Sequence, residues 1–310
     1  KARFGAANRE VQLEQVDVAS VQLDVDRNAG PWSVGFGGSW DHNRVRSDAW
    51  MERRSDGVLL SDGVLTRYPN AGANMGSVAA YAGVSRQWSR LKWEGAARYS
   101  KGWLDARFED QLGLTLPFES VGYNRGAMTG SSTFRWQARP FWGTHLILAS
   151  AFRNPNVDDV GKVRAKDGFA LVPTDGLRPE RMYSAEIGGH WRTRDGRVQA
   201  RISAFSTALV DAIQARDSSL ILADGSVLET LVVEGDTNVI QLNANIGRAN
   251  IRGMQFKAVY KPSKGWRLWS TLNMTQGLDA NGAPLSHIPP VFGAASVRRT
   301  WTWFSLAGQW

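Results

Sequence analysis

The sequence contains no cysteine. Disulfides, zinc–thiolate sites and thiol nucleophiles are therefore excluded. It also lacks long hydrophobic runs. Apolar stretches such as Leu146-Ile147-Leu148-Ala149 fall far short of the roughly 20 residues that a membrane helix needs. A helical membrane protein is thereby excluded, but not one whose apolar residues alternate with polar ones. Helical periodicity is almost absent. Lys1-Ala2-Arg3-Phe4 carries neither an initiator methionine nor a charged-then-apolar leader, so a mature form or a fragment is expected. Lysine is scarce, with 8 residues against 29 arginines.

What is present is a chain of 310 residues, 43% hydrophobic, with a net charge of +8. The length suits one large domain or two average ones, and the hydrophobic content excludes compositional disorder. Tryptophan occurs 14 times and glycine 32 times.

Period-two alternation dominates. One strand places Trp32, Val34, Phe36, Gly38 and Trp40 on one face and Ser33, Gly35, Gly37 and Ser39 on the other. The same pattern runs through 91–99, 183–191, 198–204, 254–260 and 266–274. Over these six strands the apolar face totals 28 positions, with Ser270 its one polar residue and no charge. The opposite face totals 22 positions, of which seven are charged.

Any half-buried antiparallel sheet alternates in this way. Three features separate a membrane barrel from a soluble sandwich. The strands run to about nine to thirteen residues, where soluble strands usually have about five or six. Aromatics close both ends of the apolar face: Trp32 and Trp40 are eight residues apart, as are Tyr183 and Trp191. That spacing spans about 27 Å, or about 21 Å of height once tilted, near the apolar band of about 25 Å between two aromatic girdles. Finally, connections alternate short and long. Short turns fall at 27–31, 86–90, 138–140, 193–196, 261–265 and near 299–300, and long polar loops are expected at about 41–76, 101–125, 153–181, 214–238 and 277–289. About twelve strands are predicted, the first through Ala19, Val21, Leu23 and Val25, the last within 301–310. Open edges do not persist in lipid, so either twelve strands close or others are missing. An internal fragment is expected.

Three segments carry a family resemblance. They are Phe152-Arg153-Asn154-Pro155-Asn156-Val157-Asp158-Asp159-Val160-Gly161 with Leu177-Arg178-Pro179-Glu180, then Asn245–Phe256, then Pro284–Gly293. In this order they resemble the barrel of TonB-dependent outer-membrane receptors; residues 1–150 match in pattern only. The resemblance implies a barrel of about 22 strands around an N-terminal plug, with ligand import powered by an inner-membrane complex. No plug or energy-coupling box is visible, and the family's terminal strands are not recognisable after Trp310. The fold expected is thus all-β: a partial antiparallel transmembrane barrel over 1–310, with short periplasmic turns and long extracellular loops.

The chemistry-bearing residues are sparse. His42, His145, His190 and His287 form no metal-binding spacing. Asp158-Asp159 and Asp279-Ala280-Asn281-Gly282 echo calcium ligands but lack the downstream ligands and bidentate glutamate, and turn-forming Asx residues are the simpler account. No nucleophile elbow or phosphate-cradling loop occurs, so no enzyme, cofactor or metal is expected. The arginines are spread over lumen and loops rather than set among stacking aromatics, which argues against nucleic acid. The densest patch is Arg44, Arg46, Arg53 and Arg54. It could bind lipopolysaccharide phosphates or an anionic ligand, although a solvated loop is the simpler account. Most tryptophans read as girdle, with inward Trp269 and loop Trp103 the exceptions.

If the short turns are periplasmic, Asp41, Arg98, Asn273 and Thr275 face the outer mouth of the lumen and are the candidate ligand contacts. The expected function is a bacterial outer-membrane receptor importing a scarce nutrient: a siderophore, haem, cobalamin or an oligosaccharide. Its partners would be membrane lipid, lipopolysaccharide and the TonB complex, the last through the plug. The rival readings are a passive porin, an adhesive or structural barrel, and a soluble β-sandwich binding module.

Overall fold

The computed structural model describes residues 7–61, 64, 66–109, 116–233, 235–285 and 287–310. One antiparallel meander forms the wall. Its strands are β1 (Asn8–Ala29), β2 (Trp32–Arg53), β3 (Ala73–Gln87), β4 (Leu91–Arg107), β5 (Ser120–Arg139) and β6 (Trp142–Arg153). They continue as β7 (Glu180–Arg192), β8 (Val198–Val210), β9 (Arg248–Tyr260), β10 (Trp266–Asp279), β11 (Phe292–Thr300) and β12 (Ser305–Gln309). Each pairs with the next in chain order, and Leu59–Ser61 adds a short strand beside β2.

The alternation predicted from sequence is the alternation of the wall. Cross-strand partners join like faces: Phe36 lies opposite Val25 and Ala82, Ile187 opposite Leu146 and Ala204, and Phe256 opposite Ile202 and Leu272. This apolar face is exposed rather than packed. Phe36, Ile187 and Phe256 are 53%, 63% and 38% exposed, values that exclude a globular core and fit a lipid-facing surface. A tryptophan belt rims its lower end: Trp32 meets Trp88 and Trp93 edge-on at 6.4 and 6.3 Å, and Trp136 meets Trp142 at 5.6 Å.

The hairpin turns are short. Between β1 and β2 only Gly30 and Pro31 intervene. Gly30 takes φ +60°, a conformation suited to a two-residue turn opening on glycine.

At the other end the strands outrun the expected loops. β2 reaches Arg53 rather than ending near residue 40, and β4 reaches Arg107. A strand of 22 residues such as β2 extends about 75 Å, well beyond the bilayer's need even when tilted. Trp103, expected in a loop, stands on β4, with its ring against Gly76.

The connections at this end fold into a roof. A helix, α1 (Val157–Gly161), is capped by Asn156, whose side chain accepts from the Asp159 N–H while Asp159 accepts from the Asn156 N–H. Strands Ile213–Asp217, Asp236–Asn245, Phe169–Leu171, Arg164–Lys166 and Thr230–Val233 form a second sheet. Two apolar clusters hold it. One joins Val157, Val160 and Leu177 to the inner-face residues Val45, Ala73, Leu104, Ala106 and Val121 of the wall. The other, around Ile240, lies within the roof sheet.

Candidate functional site

Beneath the roof the inner face of the wall is polar. Arg98 on β4 donates from Nε to Ser100 Oγ and from Nη2 to Ser39 Oγ, both at 2.9 Å. Its guanidinium lies 5.0 Å from the centre of the Tyr81 ring, a cation–π distance. Tyr81 in turn donates to Asp24 Oδ1 at 2.6 Å. Glycine at position 37 makes this possible: a Cβ there would lie 2.8 Å from the Tyr81 hydroxyl and 2.4 Å from the Leu23 carbonyl oxygen. Among the described residues Arg98 is held by hydroxyls and a ring, with no carboxylate in ion-pair contact.

A cavity of about 320 Å³ opens beside it, lined by Ser77, Arg98, Ser100, Thr129 and Asn154 among others. Ser77 donates to Asp41, so Asp41 reaches the cavity rim through that hydroxyl. Asn154 Oδ1 is buried without a hydrogen-bond partner, an acceptor left over for a ligand donor.

Arg153 ties the wall to the roof. Its Nε donates to Glu180 at 2.5 Å and its Nη1 to Asp159 at 2.6 Å. Burial opposes the guanidinium charge, but these two carboxylates outweigh it and hold its pKa above the ordinary value. Tyr123, packed against the roof cluster, is pushed up to about 12 by burial and then by Asp159 and Asp41. It therefore stays a neutral phenol at physiological pH.

The four sequence-predicted contacts divide. Arg98 lines the cavity, and Asp41 meets its rim through Ser77. Asn273 and Thr275 stand on β10, opposite Gln255 and Gly253, six strands round the sheet from Arg98. They share the inner face but not the cavity. Ser77, Ser100 and Thr129 were missed although their parity places them inside; Asn154 carries no such signal, because the loop fold positions it.

Other candidates have local roles. The Asp159 carboxylate is taken up by Arg153 and the helix cap. Asp279 accepts from the N–H groups of Asn281 and Ala283, an Asx turn. The basic quartet does not form one patch: Arg44 and Arg46 stand within β2, while Arg53 ends it and pairs with Asp56 in the turn at 2.8 Å.

The model of the family described as TonB dependent receptor-like, beta-barrel, matches residues 3–310. The chain belongs to this family. The family consists of transport receptors of the bacterial outer membrane, so this receptor barrel is placed there. No curated protein matches it. Among solved structures it is similar to the copper transporter OprC, at TM-score 0.76 and 14% identity, covering 96% of this chain and 43% of that one. It is also similar to the ferric yersiniabactin uptake receptor FyuA from Yersinia pestis (TM-score 0.63, 15% identity, 98% and 43% covered). A third is the hemophore receptor HasR of Serratia marcescens, solved with its hemophore and heme (TM-score 0.67, 14% identity, 94% and 50% covered). These likenesses establish the fold. The chain spans about half or less of the length of each.

Proposed function

We propose that this chain supplies part of the wall and roof of a receptor that captures a scarce nutrient outside the cell and imports it with energy from the TonB complex. The observation that carries this reading is the polar cavity on the inner face of the wall. A cation without a carboxylate partner, Arg98, faces it together with Asn154 of the connection that leads into the roof. Such a guanidinium favours an anionic ligand or an anionic metal chelate. The similar structures are a copper transporter, a ferric yersiniabactin receptor and a hemophore receptor solved with heme, and a chelate or haem with carboxylates fits the cavity's chemistry better than a neutral oligosaccharide.

Arg98→Ala in the full-length protein should weaken binding by roughly tenfold, the effect of losing a charged hydrogen-bonding partner. The check is uptake of radiolabelled ferric siderophores, haem, copper and cobalamin by a strain relying on this receptor. Asp41→Ala should weaken binding less, because Asp41 acts through Ser77. Asn273→Ala and Thr275→Ala test whether the ligand extends across the lumen. Uptake that persists after collapse of the inner-membrane proton gradient would replace this reading with a passive porin.

Lipopolysaccharide is a proposed partner on the outer face. Arg44, Arg46 and Arg107 line a cavity of about 400 Å³ with Asn70 and Asn74. By strand parity it lies on the lipid side, beyond Trp40. Asp17 pairs with Arg46 at 3.0 Å and Asp105 with Arg107 at 3.2 Å, which leaves Arg44 as the cation open to a phosphate.

A further inference from the structure

The positive charge of this chain has a location. The six short turns with their flanking strand ends cover 27–31, 86–90, 138–141, 192–197, 261–265 and 299–304. They carry ten cations: Arg27, Arg86, Arg90, Arg139, Arg192, Arg194, Arg197, Lys261, Lys264 and Arg299. Their one carboxylate is Asp195, which pairs with Arg197 at 3.3 Å. Removing ten from the chain's 37 basic residues and one from its 29 acidic residues leaves 27 against 28. About a tenth of the sequence therefore holds the entire positive excess.

Two of these cations are built into the lipid-facing belt. Arg86 lies directly across from Trp32, and its guanidinium sits 4.8 Å from the Trp32 ring and 5.0 Å from the Trp88 ring. Its Nε is buried without a hydrogen-bond partner. Arg299 repeats the arrangement four hairpins on. It lies across from Trp266, 5.2 Å from that ring and 5.3 Å from Trp301, with one Nη1 bond to the Lys264 carbonyl at 2.9 Å. Indole faces orient a guanidinium but accept none of its hydrogen bonds.

We propose that this rim is a collar for anionic phospholipid headgroups of the periplasmic leaflet, with Arg86 and Arg299 as its two principal seats. Both seats share the outer face with Phe36 and Leu272, the face turned to lipid. The short-turn end is the periplasmic end of such barrels, and headgroup phosphates lie at the depth of the aromatic belt. A phosphate oxygen supplies the acceptors that the indole faces lack. The remaining cations form a surrounding positive field, which attracts an anionic surface.

The test uses the full-length protein carrying this chain, reconstituted in phosphatidylcholine vesicles. Tryptophan quenching by brominated phosphatidylglycerol is compared with that by brominated phosphatidylcholine. The anionic lipid should bind about fivefold more tightly per seat. Arg86→Gln with Arg299→Gln should remove most of that preference, while Arg201→Gln with Lys257→Gln, paired on the inner face, should leave it. Heat-dependent gel migration confirms that each variant is a folded barrel, and Arg86→Lys with Arg299→Lys should restore part of the preference should the glutamine pair fail to fold. Equal quenching by the two lipids overturns the collar. So does a preference that survives loss of both arginines, or one that inorganic phosphate abolishes at matched ionic strength.

Discussion

Arg153, the last residue of β6, bridges two carboxylates where the wall meets the roof. Its two carboxylate partners are mostly buried, with Asp159 and Glu180 side chains 15% and 20% exposed, whereas the guanidinium is 45% exposed. Glu180 also accepts the Ile213 N–H at 2.6 Å, and Asp159 closes the helix cap. Truncating Arg153 leaves two carboxylates facing each other in a partly dry site. After discounting for the solvent that reaches the guanidinium, Arg153→Ala should cost the roof about 1–2 kcal/mol. The wall should keep its stability, since its strands are held by backbone pairing. Limited proteolysis should therefore accelerate within 154–179 while heat-dependent gel migration stays unchanged. Parallel loss of both would mean that Arg153 supports the wall itself.

At the scale of the strand, the sequence is legible only where lipid imposes a rule. Between Tyr183 and Trp191 every outward residue must be apolar, and the period of two stands out. The turns were legible for the same reason, since each interrupts that period. Beyond lipid the constraint lapses. β2 continues from Asp41 to Arg53 with backbone pairing intact, but polar residues occupy both faces, so the segment reads as loop. The roof strands are less legible still: Phe169–Leu171 pairs in parallel with Val239–Gln241, a contact that no local pattern announces. The site follows the same division. Arg98 was found because its parity turns it inward; Asn154 was missed because a loop fold aims it. The rule itself is testable. Ile187 lies midway between two girdle residues, so Ile187→Lys should cost about 2–4 kcal/mol of folding stability in vesicles. Thr271 faces inward directly opposite Lys257, so Thr271→Glu should stay within about 0.5 kcal/mol. Denaturant titration of refolding measures both, and similar costs would mean the two faces are not lipid and water.

The whole molecule joins two parts stabilised by different physics. The wall keeps its apolar residues outside and is held by strand pairing, which lipid strengthens because no water competes for the backbone. The roof is the part with a conventional buried core, built from the Val157 and Ile240 clusters and standing in water. Denaturants and pH should therefore separate them. Tyr123 sits at the junction, where burial raises its pKa to about 12 from about 10 in an unfolded segment. The sign follows from proton binding. Between these values the folded roof keeps the phenol proton that the unfolded roof has released, so stability falls as pH rises from about 10 to about 12 and is fully present below that window. The roof should loosen across this range while the wall, whose pairing involves no phenol, persists. Hydrogen exchange at Val157–Gly161 should accelerate with pH beyond its intrinsic base catalysis. Tyr123→Phe should remove the excess, since phenylalanine keeps the ring and has no proton to lose. An excess that remains in Tyr123→Phe would assign the sensitivity to the arginine–carboxylate bridge at Arg153 instead, and would leave Tyr123 as packing alone.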